Sequence, residues 1–259
     1  MSVAVSLHSL SIGYTARGKV REVFPPISAE ANVGELVSLV GRNGQGKSTL
    51  LRTLIGFQPA LAGSIRIFDK SISDYDLRTL ATLMSYVSTD NVKVGNLKVF
   101  DLVSLGRYPY TGWFGTLSQN DKDVVMDSLE MVGMRSYAWR NTNCLSDGER
   151  QRAMIARALS QRTPIIALDE PTAFLDLPNR YEVVLLLKKL AQEQQKTVLF
   201  STHDLNIALK ISNRVWAMCD GEMYQGAPQQ LLADSVFDKL LKNTRLTVDH
   251  STGEVRISD

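Results

Sequence analysis

The sequence of 259 residues predicts an α/β fold built on buried parallel strands. Three short and almost continuous apolar segments lie at residues 36–40, 165–168 and 198–200. Such segments are typical of strands that are covered on both faces of a parallel sheet. Helical patterns separate these segments, and the alternation of strands with helices favours a sheet with helices packed against it.

The helical patterns consist of apolar residues that recur on one face of a helix. Val183, Leu187 and Leu190 follow one another at steps of four and three residues, and the segment 125–132 repeats this spacing. Steps of three and four match the period of an α-helix, so we expect amphipathic helices in both segments.

Further strands are predicted near the two ends of the chain. Apolar residues alternate with smaller or polar ones over residues 3–7, which indicates a half-buried strand. The segment 214–224 contains Asp220-Gly221 between two apolar stretches, and this pair favours a type I′ turn in a β-hairpin. A second hairpin is predicted over residues 247–257.

Composition and charge exclude several classes of protein. With 44% hydrophobic and 22% charged residues the chain is expected to be globular. Its 29 basic and 27 acidic residues give a net charge of +2, which disfavours nucleic acid as a partner. Cys144 and Cys219 are too few for a disulfide framework and fit a reducing compartment. We recognise no secretory signal and no segment that could span a bilayer, so work at a membrane would need another chain.

We predict a single domain over residues 1–259. Its α/β core is expected at about 1–88 and 160–225, with a C-terminal extension at about 226–259. Residues 89–159 contain helical patterns broken by glycine-rich and aromatic loops. We interpret them as a helical subdomain inserted into the core.

The strongest motif follows the first buried strand. Residues 41–49 fit the phosphate-loop pattern G-x-x-x-x-G-K-[ST], and a helical pattern over 49–57 comes next. The glycines let backbone N–H groups surround phosphates, Lys47 can reach the β- and γ-phosphates, and the Ser48 hydroxyl can bind Mg²⁺. The residues predicted to bind the nucleotide here are Gly41, Asn43, Gly44, Gln45, Gly46, Lys47, Ser48 and Thr49.

Two acidic residues end the second buried strand. Asp169 and Glu170 follow the apolar segment 165–168 directly. Behind a phosphate loop, the first acid would hold Mg²⁺ and the second would polarise the water that attacks the γ-phosphate. The sequence therefore predicts an ATP hydrolase with ATP and Mg²⁺ as its ligands.

Five elements in this order resemble the ATP-binding-cassette (ABC) family. They are Tyr14, the phosphate loop at 41–49, and the segments 145–149, 168–172 and 201–204. The resemblance extends from about residue 3 to about residue 235. It implies a P-loop ATPase core, an N-terminal antiparallel β subdomain and an inserted α-helical subdomain. It also implies a homodimer that encloses two ATP molecules.

The same resemblance assigns roles to single residues. It implies that Tyr14 stacks on adenine, that His203 contacts the γ-phosphate and that Asp176 lies at the dimer interface. In the family, a glutamine that links Mg²⁺ to the membrane partner follows a Tyr-Val-Pro-like strand. Thr89 takes that position here, with Asp90 after it, and either could reach the metal.

Segment 145–149 reads Leu-Ser-Asp-Gly-Glu where the family has Leu-Ser-Gly-Gly-Gln. The resemblance implies that Ser146 and Gly148 contact the γ-phosphate of ATP held by the partner copy. Asp147 and Glu149 add two negative charges, which should weaken the attraction of the helix N-terminus for phosphate. Ser146 and Glu149 also form the sequence pattern of a capping box, so a helix is predicted to begin here and to end near residue 159.

The segment 99–110, with Gly106, Arg107 and Pro109, is similar to importer ATPases for iron–siderophore complexes, haem and cobalamin. Aromatic residues crowd the stretch 106–115. These residues are Tyr108, Tyr110, Trp113 and Phe114. Such a loop is typical of a partner interface, and a loop folded onto its own subdomain is the alternative. The resemblance implies transmembrane permease partners, a substrate-binding protein reached through the permease, and a peripheral location on the cytoplasmic face of the membrane.

Two other interpretations stay open at this point. The first is a non-transport ABC ATPase that acts on ribosomes or DNA, against which stand the single phosphate loop, the lack of heptads and the near-neutral charge. The second is an ATP-binding module with little hydrolysis. The altered segment 145–149 and Thr89 favour this module, whereas Glu170 and His203 oppose it.

Overall fold

The computed structural model describes residues 2–16, 18–89, 96–173, 175–250 and 252–257. The strands are β1 (Val3–Ala16), β2 (Lys19–Asn32), β3 (Leu36–Gly41), β4 (Ala62–Ile67), β5 (Lys70–Ser71), β6 (Met84–Val87), β7 (Ile165–Leu168), β8 (Thr197–Thr202), β9 (Arg214–Cys219), β10 (Glu222–Gly226), β11 (Leu246–Val248) and β12 (Val255–Ile257). The α-helices are α1 (Lys47–Leu54), α2 (Leu77–Leu83), α3 (Val99–Ser104), α4 (Gln119–Met131), α5 (Asp147–Ser160), α6 (Leu177–Gln194), α7 (Leu205–Ile211), α8 (Pro228–Ala233) and α9 (Val236–Leu241).

The central sheet has six strands in the order β10-β9-β3-β8-β7-β6. All neighbouring pairs are parallel except β9 with β10. The three strands predicted from apolar segments are β3, β7 and β8, and every residue in them is buried. The prediction of a parallel sheet is therefore confirmed.

Helices and strands cover both faces of this sheet, because alternate residues of its strands enter two different cores. Ile166 and Leu168 pack in one core with residues of α5 and α6. Ile165 and Ala167 pack in the other with α1 and the antiparallel strands. A buried parallel strand needs apolar side chains on both faces for this reason.

A second sheet is antiparallel, with the strand order β2-β1-β4-β5. It corresponds to the expected N-terminal β subdomain. The prediction of a half-buried strand over residues 3–7 was wrong about its exposure, because residues 4–7 are all buried. Strand β1 pairs with β2 on one side and β4 on the other, so it lies inside the sheet.

Helices α3, α4 and α5 share one core with each other and with α6. A buried ion pair ties this group together, since Arg107 Nε donates to Asp121 Oδ1 at 2.9 Å. Arg107 also donates to the Ser160 carbonyl at 2.7 Å, at the end of α5. Arg107 thus holds the loop that follows α3 against both other helices.

The predicted hairpins are both present. Asp220 and Gly221 join β9 to β10 with φ angles of 49° and 79°, and two positive φ values are the mark of a type I′ turn. Strands β11 and β12 pair as the second hairpin. Helix α1 begins two residues earlier than predicted, directly after Gly46 of the phosphate loop. It also ends earlier, because the chain turns at Gly56 with a φ of 78°. No helix in the described part of the chain is both long and apolar enough to cross a membrane.

Candidate functional site

The phosphate loop connects β3 to α1 at the end of the central sheet. Gly44 and Gly46 have φ angles of 82° and 102°, which side-chain-bearing residues rarely adopt. A Cβ atom on Gly46 would also lie 2.7 Å from a methyl group of Val23. The first turn of α1 has no acidic residue and no side-chain cap. Its backbone N–H groups can therefore bind an anion without competition from a carboxylate in that turn.

Lys47 opens α1 and its side chain is almost fully buried. Its Nζ donates to the Gly41 carbonyl at 2.8 Å and lies 3.9 Å from Glu170 Oε1. Burial lowers the pKa of the Lys47 amine, and the carboxylates of Glu170 and Asp169 oppose that change. The amine thus lies between the phosphate loop and the two acids that end β7.

Asp169 is buried, and polar groups hold both of its carboxylate oxygens. Its Oδ1 accepts hydrogen bonds from Ser48 at 3.0 Å and from Ser201 at 2.7 Å, while its Oδ2 accepts one from Tyr86 at 3.3 Å. Burial and the charge of Asp169 raise the pKa of Tyr86 to about 12, so the phenol keeps its proton. The hydroxyl of Thr89 donates to the Asp169 carbonyl at 2.8 Å.

The contact between Ser48 and Asp169 supplies the type of ligand that Mg²⁺ prefers. A hydroxyl and a carboxylate are hard oxygen ligands, and Mg²⁺ usually takes one or two such groups together with substrate phosphates. The pair lies at the start of α1, next to the phosphate loop. The chemistry of these residues therefore fits the predicted metal ion.

Glu170 adopts a φ of 46°, and its amide donates to Ser201 Oγ at 2.8 Å. Its carboxylate lies between two basic side chains. Glu170 Oε2 is 3.6 Å from His203 Nδ1, and Oε1 faces Lys47. The structure thus brings together the two predicted catalytic residues and the phosphate-loop lysine. The arrangement can deprotonate a water and stabilise negative charge beside it.

Tyr14 lies near the end of β1 and is about half exposed. Its hydroxyl is 2.9 Å from the Thr49 hydroxyl on α1. Its ring is therefore fixed beside the phosphate loop, and the role in stacking on adenine remains a prediction.

Ser146 is the N-cap residue of α5, and Gly148 lies in the first turn of α5, where a Cβ atom would be 3.5 Å from the Asn179 side chain of α6. The Ser146 amide donates to Glu149 Oε2 at 2.8 Å, and the Glu149 amide donates to Ser146 Oγ at 3.3 Å. The predicted capping box is confirmed. Hydrogen bonds from the Ser146 amide and from Tyr137 lower the pKa of Glu149, so the acid stays ionised.

Two further predicted residues have local structural partners. Asp176 caps α6 by accepting a hydrogen bond from the Asn179 amide at 3.2 Å. Thr89 contacts the backbone of Asp169, as described above, and Asp90 lies outside the described residues. The roles of Asp176 and Thr89 in dimer contact and metal binding remain predictions.

Sequence reasoning missed two side chains that hold the acids of β7. Ser201 bonds both the Asp169 carboxylate and the Glu170 amide, and Tyr86 bonds the other oxygen of Asp169. Ser201 was part of a recognised motif, and its place at the end of a strand beside β7 was the available signal. For Tyr86 the signal was weaker, since only the pairing of β6 with β7 brings it close.

This fold and this site define a nucleoside triphosphatase with a phosphate-binding loop. The sequence matches the ABC transporter family over residues 24–173. Two curated relatives are the petrobactin import ATP-binding protein FpuD of Bacillus anthracis and the iron(3+)-hydroxamate import ATP-binding protein FhuC of Bacillus subtilis. FpuD is 35% identical over 83% of this chain and 79% of its own length. FhuC is 33% identical over 92% of this chain and 88% of its own length.

Solved structures agree with this match. An ABC transporter in an inward-facing conformation has a TM-score of 0.80 and 28% identity, covering 99% of this chain and 96% of its own. The dimeric bacterial cassette MJ0796 has a TM-score of 0.76 and 28% identity, covering 86% of this chain and 98% of its own. The chain belongs to the ABC transporter family. The predicted fold class and the predicted family are confirmed, and the chain is an ATP hydrolase coupled to transport.

Proposed function

We propose that this chain is the ATP-hydrolysing subunit of a membrane importer for iron–siderophore complexes, or for the related chelates haem and cobalamin. Two copies would enclose two ATP molecules, each between the phosphate loop of one copy and residues 145–149 of the other. The observation that carries the proposal is the cluster of Lys47, Ser48, Asp169 and Glu170 beside the phosphate loop.

The chemistry follows from that cluster. The water oxygen forms a bond to the γ-phosphorus, and the bond from this phosphorus to the oxygen shared with the β-phosphate breaks. Glu170 accepts the proton of the water, while Lys47 and His203 stabilise the charge that develops on the γ-phosphate oxygens. Ser48 and Asp169 would hold Mg²⁺, which neutralises charge on the phosphate oxygens when it is bound.

The names of the relatives support the substrate class. FpuD and FhuC are named for the import of petrobactin and of iron(3+)-hydroxamate. A cobalamin import ATP-binding protein of Halobacterium salinarum is 31% identical, although this chain covers 59% of its length. Iron chelates are therefore the first substrates to test, with cobalamin and haem next.

The permease would dock beside the loop at residues 106–115. Trp113 and Phe114 are 98% and 92% exposed, and Tyr108 is also exposed. Tyr110 instead packs on Arg107 and donates to the Gln161 carbonyl, so only part of the loop is free for a partner. A partner here would hold the chain on the cytoplasmic face of the membrane as a peripheral subunit.

The test is transport by a purified complex. The chain would be purified together with the permease that co-purifies with it, reconstituted in lipid vesicles, and supplied with ATP and the permease's binding protein. We expect ATP-dependent uptake of a ferric siderophore, and no uptake with the Glu170→Gln variant. A complex that hydrolyses ATP but moves none of the ferric siderophores, haem or cobalamin would contradict the substrate class. A chain that hydrolyses no ATP in the complex would contradict the proposed function.

A further inference from the structure

The end of strand β6 contacts Asp169 at three points. The Tyr86 hydroxyl donates to the carboxylate, the Asp169 amide donates to the Val87 carbonyl at 2.9 Å, and the Thr89 hydroxyl donates to the Asp169 carbonyl. Two of these contacts hold the backbone of Asp169. Of these three contacts from the end of β6, only the one from Tyr86 is made to the carboxylate of Asp169.

Three hydrogen bonds from described residues reach the carboxylate, and they are unequally divided between its oxygens. Ser48 and Ser201 both donate to Oδ1, and Tyr86 donates to Oδ2. Removal of the phenol hydroxyl would leave Oδ2 without that donor, and the orientation of the carboxylate would then depend on the two donors to Oδ1. A carboxylate that binds a metal ion gains affinity when such outer contacts fix its orientation.

The ring of Tyr86 is itself held in place. It packs edge to face against Phe57, with 5.7 Å between ring centres, and Arg52 hydrogen-bonds its hydroxyl. The Tyr86 carbonyl accepts a hydrogen bond from Arg157 at 3.1 Å. These residues line an open groove of about 640 Å³. The hydroxyl is therefore presented to Asp169 by a side chain with little freedom to move.

We propose that Tyr86 is a positioning residue for ATP hydrolysis: its hydroxyl orients the Asp169 carboxylate toward the metal ion of the bound nucleotide. The inference rests on the proposed function, because the orientation of Asp169 matters for hydrolysis only if Asp169 holds that metal. It also gives β6 an indirect link to the metal through a phenol, close to Thr89, which takes the position of the family's glutamine.

The test compares the wild-type chain with Tyr86→Phe, which removes only the hydroxyl. Tyr75→Phe is the matched control, because the Tyr75 hydroxyl donates to the Ile67 carbonyl in the antiparallel sheet. Mn²⁺ serves as the probe, and its dissociation constant is measured by electron paramagnetic resonance in the presence of a non-hydrolysable ATP analogue. ATPase rates are measured in parallel over a range of Mg²⁺ concentrations.

We expect the Mn²⁺ dissociation constant to rise about tenfold in Tyr86→Phe and to stay unchanged in Tyr75→Phe. Saturating Mg²⁺ should restore most of kcat, with the KM for ATP little changed. An unchanged Mn²⁺ affinity in Tyr86→Phe, or a kcat that Mg²⁺ cannot restore, would overturn the positioning role while wild-type hydrolysis leaves the proposed function standing. A wild-type chain that hydrolyses no ATP and binds no Mn²⁺ with the analogue would overturn both.

Discussion

Helices α1 and α5 both begin at a segment assigned to phosphate binding, and their first turns are built in opposite ways. Helix α1 follows Gly46, with no side-chain cap and no acid in its first turn. Helix α5 follows Ser146, which forms a capping box with Glu149, and Asp147 adds a second acid. One helix start leaves its N–H groups to a ligand, and the other uses one of them within the chain.

This difference indicates different roles for the phosphate loop with α1 and for the segment that begins α5. The start of α1 lies beside Asp169 and Glu170, so it has the groups for metal binding and for proton transfer within one chain. At the start of α5 the Glu149 carboxylate is instead committed to the cap, where it accepts a hydrogen bond from the Ser146 amide. We infer that the α1 segment performs the chemistry and that the α5 segment contributes contacts to phosphate held by another copy.

The largest expected effect is on the α1 side. Glu170→Gln removes the proton acceptor and leaves Lys47, Ser48 and Asp169 in place, so ATP binding should persist. We expect kcat to fall by roughly 10²- to 10⁴-fold, the usual contribution of a general base. Steady-state phosphate release measures kcat, and equilibrium binding measures the affinity for ATP. Turnover close to wild type would remove Glu170 from the mechanism.

The second effect separates the loop at residues 106–115, which we propose to contact the permease, from the nucleotide site. Replacing Trp113 and Phe114 with alanine removes two aromatic side chains that are almost fully exposed, so the fold should tolerate the change. An aromatic anchor at an interface contributes about 2 kcal/mol, so co-purification with the permease should fall strongly. ATP affinity of the isolated chain should stay the same. Normal assembly of this variant would exclude the loop from the interface.

The third effect tests the cap of α5. Ser146→Ala removes the hydroxyl that accepts a hydrogen bond from the Glu149 amide. Loss of such a cap lowers the free energy of unfolding by about 1 kcal/mol. Ser118→Ala is the matched control, because Ser118 forms the same capping box on α4 with Asp121. Urea unfolding should show similar losses for both. ATPase activity should fall only for Ser146→Ala, and equal activities would reduce Ser146 to a structural cap.

The smallest effect concerns the two added acids. Asp147→Gly combined with Glu149→Gln removes two negative charges near the phosphate that α5 is proposed to meet. We expect equal or up to a few-fold faster turnover, in line with the modest energy of a charge at a helix N-terminus. Steady-state ATPase assays measure it. A tenfold loss at unchanged stability would mean that the acids assist hydrolysis.

The pH dependence of stability refines the same comparison. The pKa of Glu149 lies below its ordinary value of 4.5 because the Ser146 amide and Tyr137 stabilise the ionised form. Its charge therefore contributes stability that is present above the unfolded pKa and is lost as pH falls through the lower folded value. The stability gap between wild type and Glu149→Gln should narrow from pH 7 toward acid. A gap that is constant with pH would contradict this account.

The sequence was most informative where local pattern and structure coincide. Strands β3, β7 and β8 are continuous apolar segments, and the phosphate loop is a contiguous motif, so both could be recognised without the fold. Strand β2 could not be recognised from the sequence, because its Pro25-Pro26 pair and its mixed polarity are typical of a loop. It tolerates the prolines as an edge strand of its sheet. The hydrogen bonds of Tyr86 and Ser201 to Asp169 depend on which strands pair, so they could not be predicted from the sequence alone.

The central claim is that one ATP is shared between the α1 segment of one copy and the α5 segment of another. Two inactive variants test it by complementation. Lys47→Ala disables the phosphate loop, and Gly148→Asp places a charged side chain at the start of α5. The three atoms nearest to a Cβ atom at Gly148 belong to the Asn179 side chain, at 3.5 to 3.6 Å, which is ordinary contact, so this variant should fold.

ATPase activity is measured for each variant alone and for an equimolar mixture of the two. In mixed dimers one site combines both disabled segments and the other combines both intact ones. The account predicts no activity from either variant alone and clear activity from the mixture. A mixture as inactive as its components, when dimers are shown to exchange subunits, would contradict the shared site.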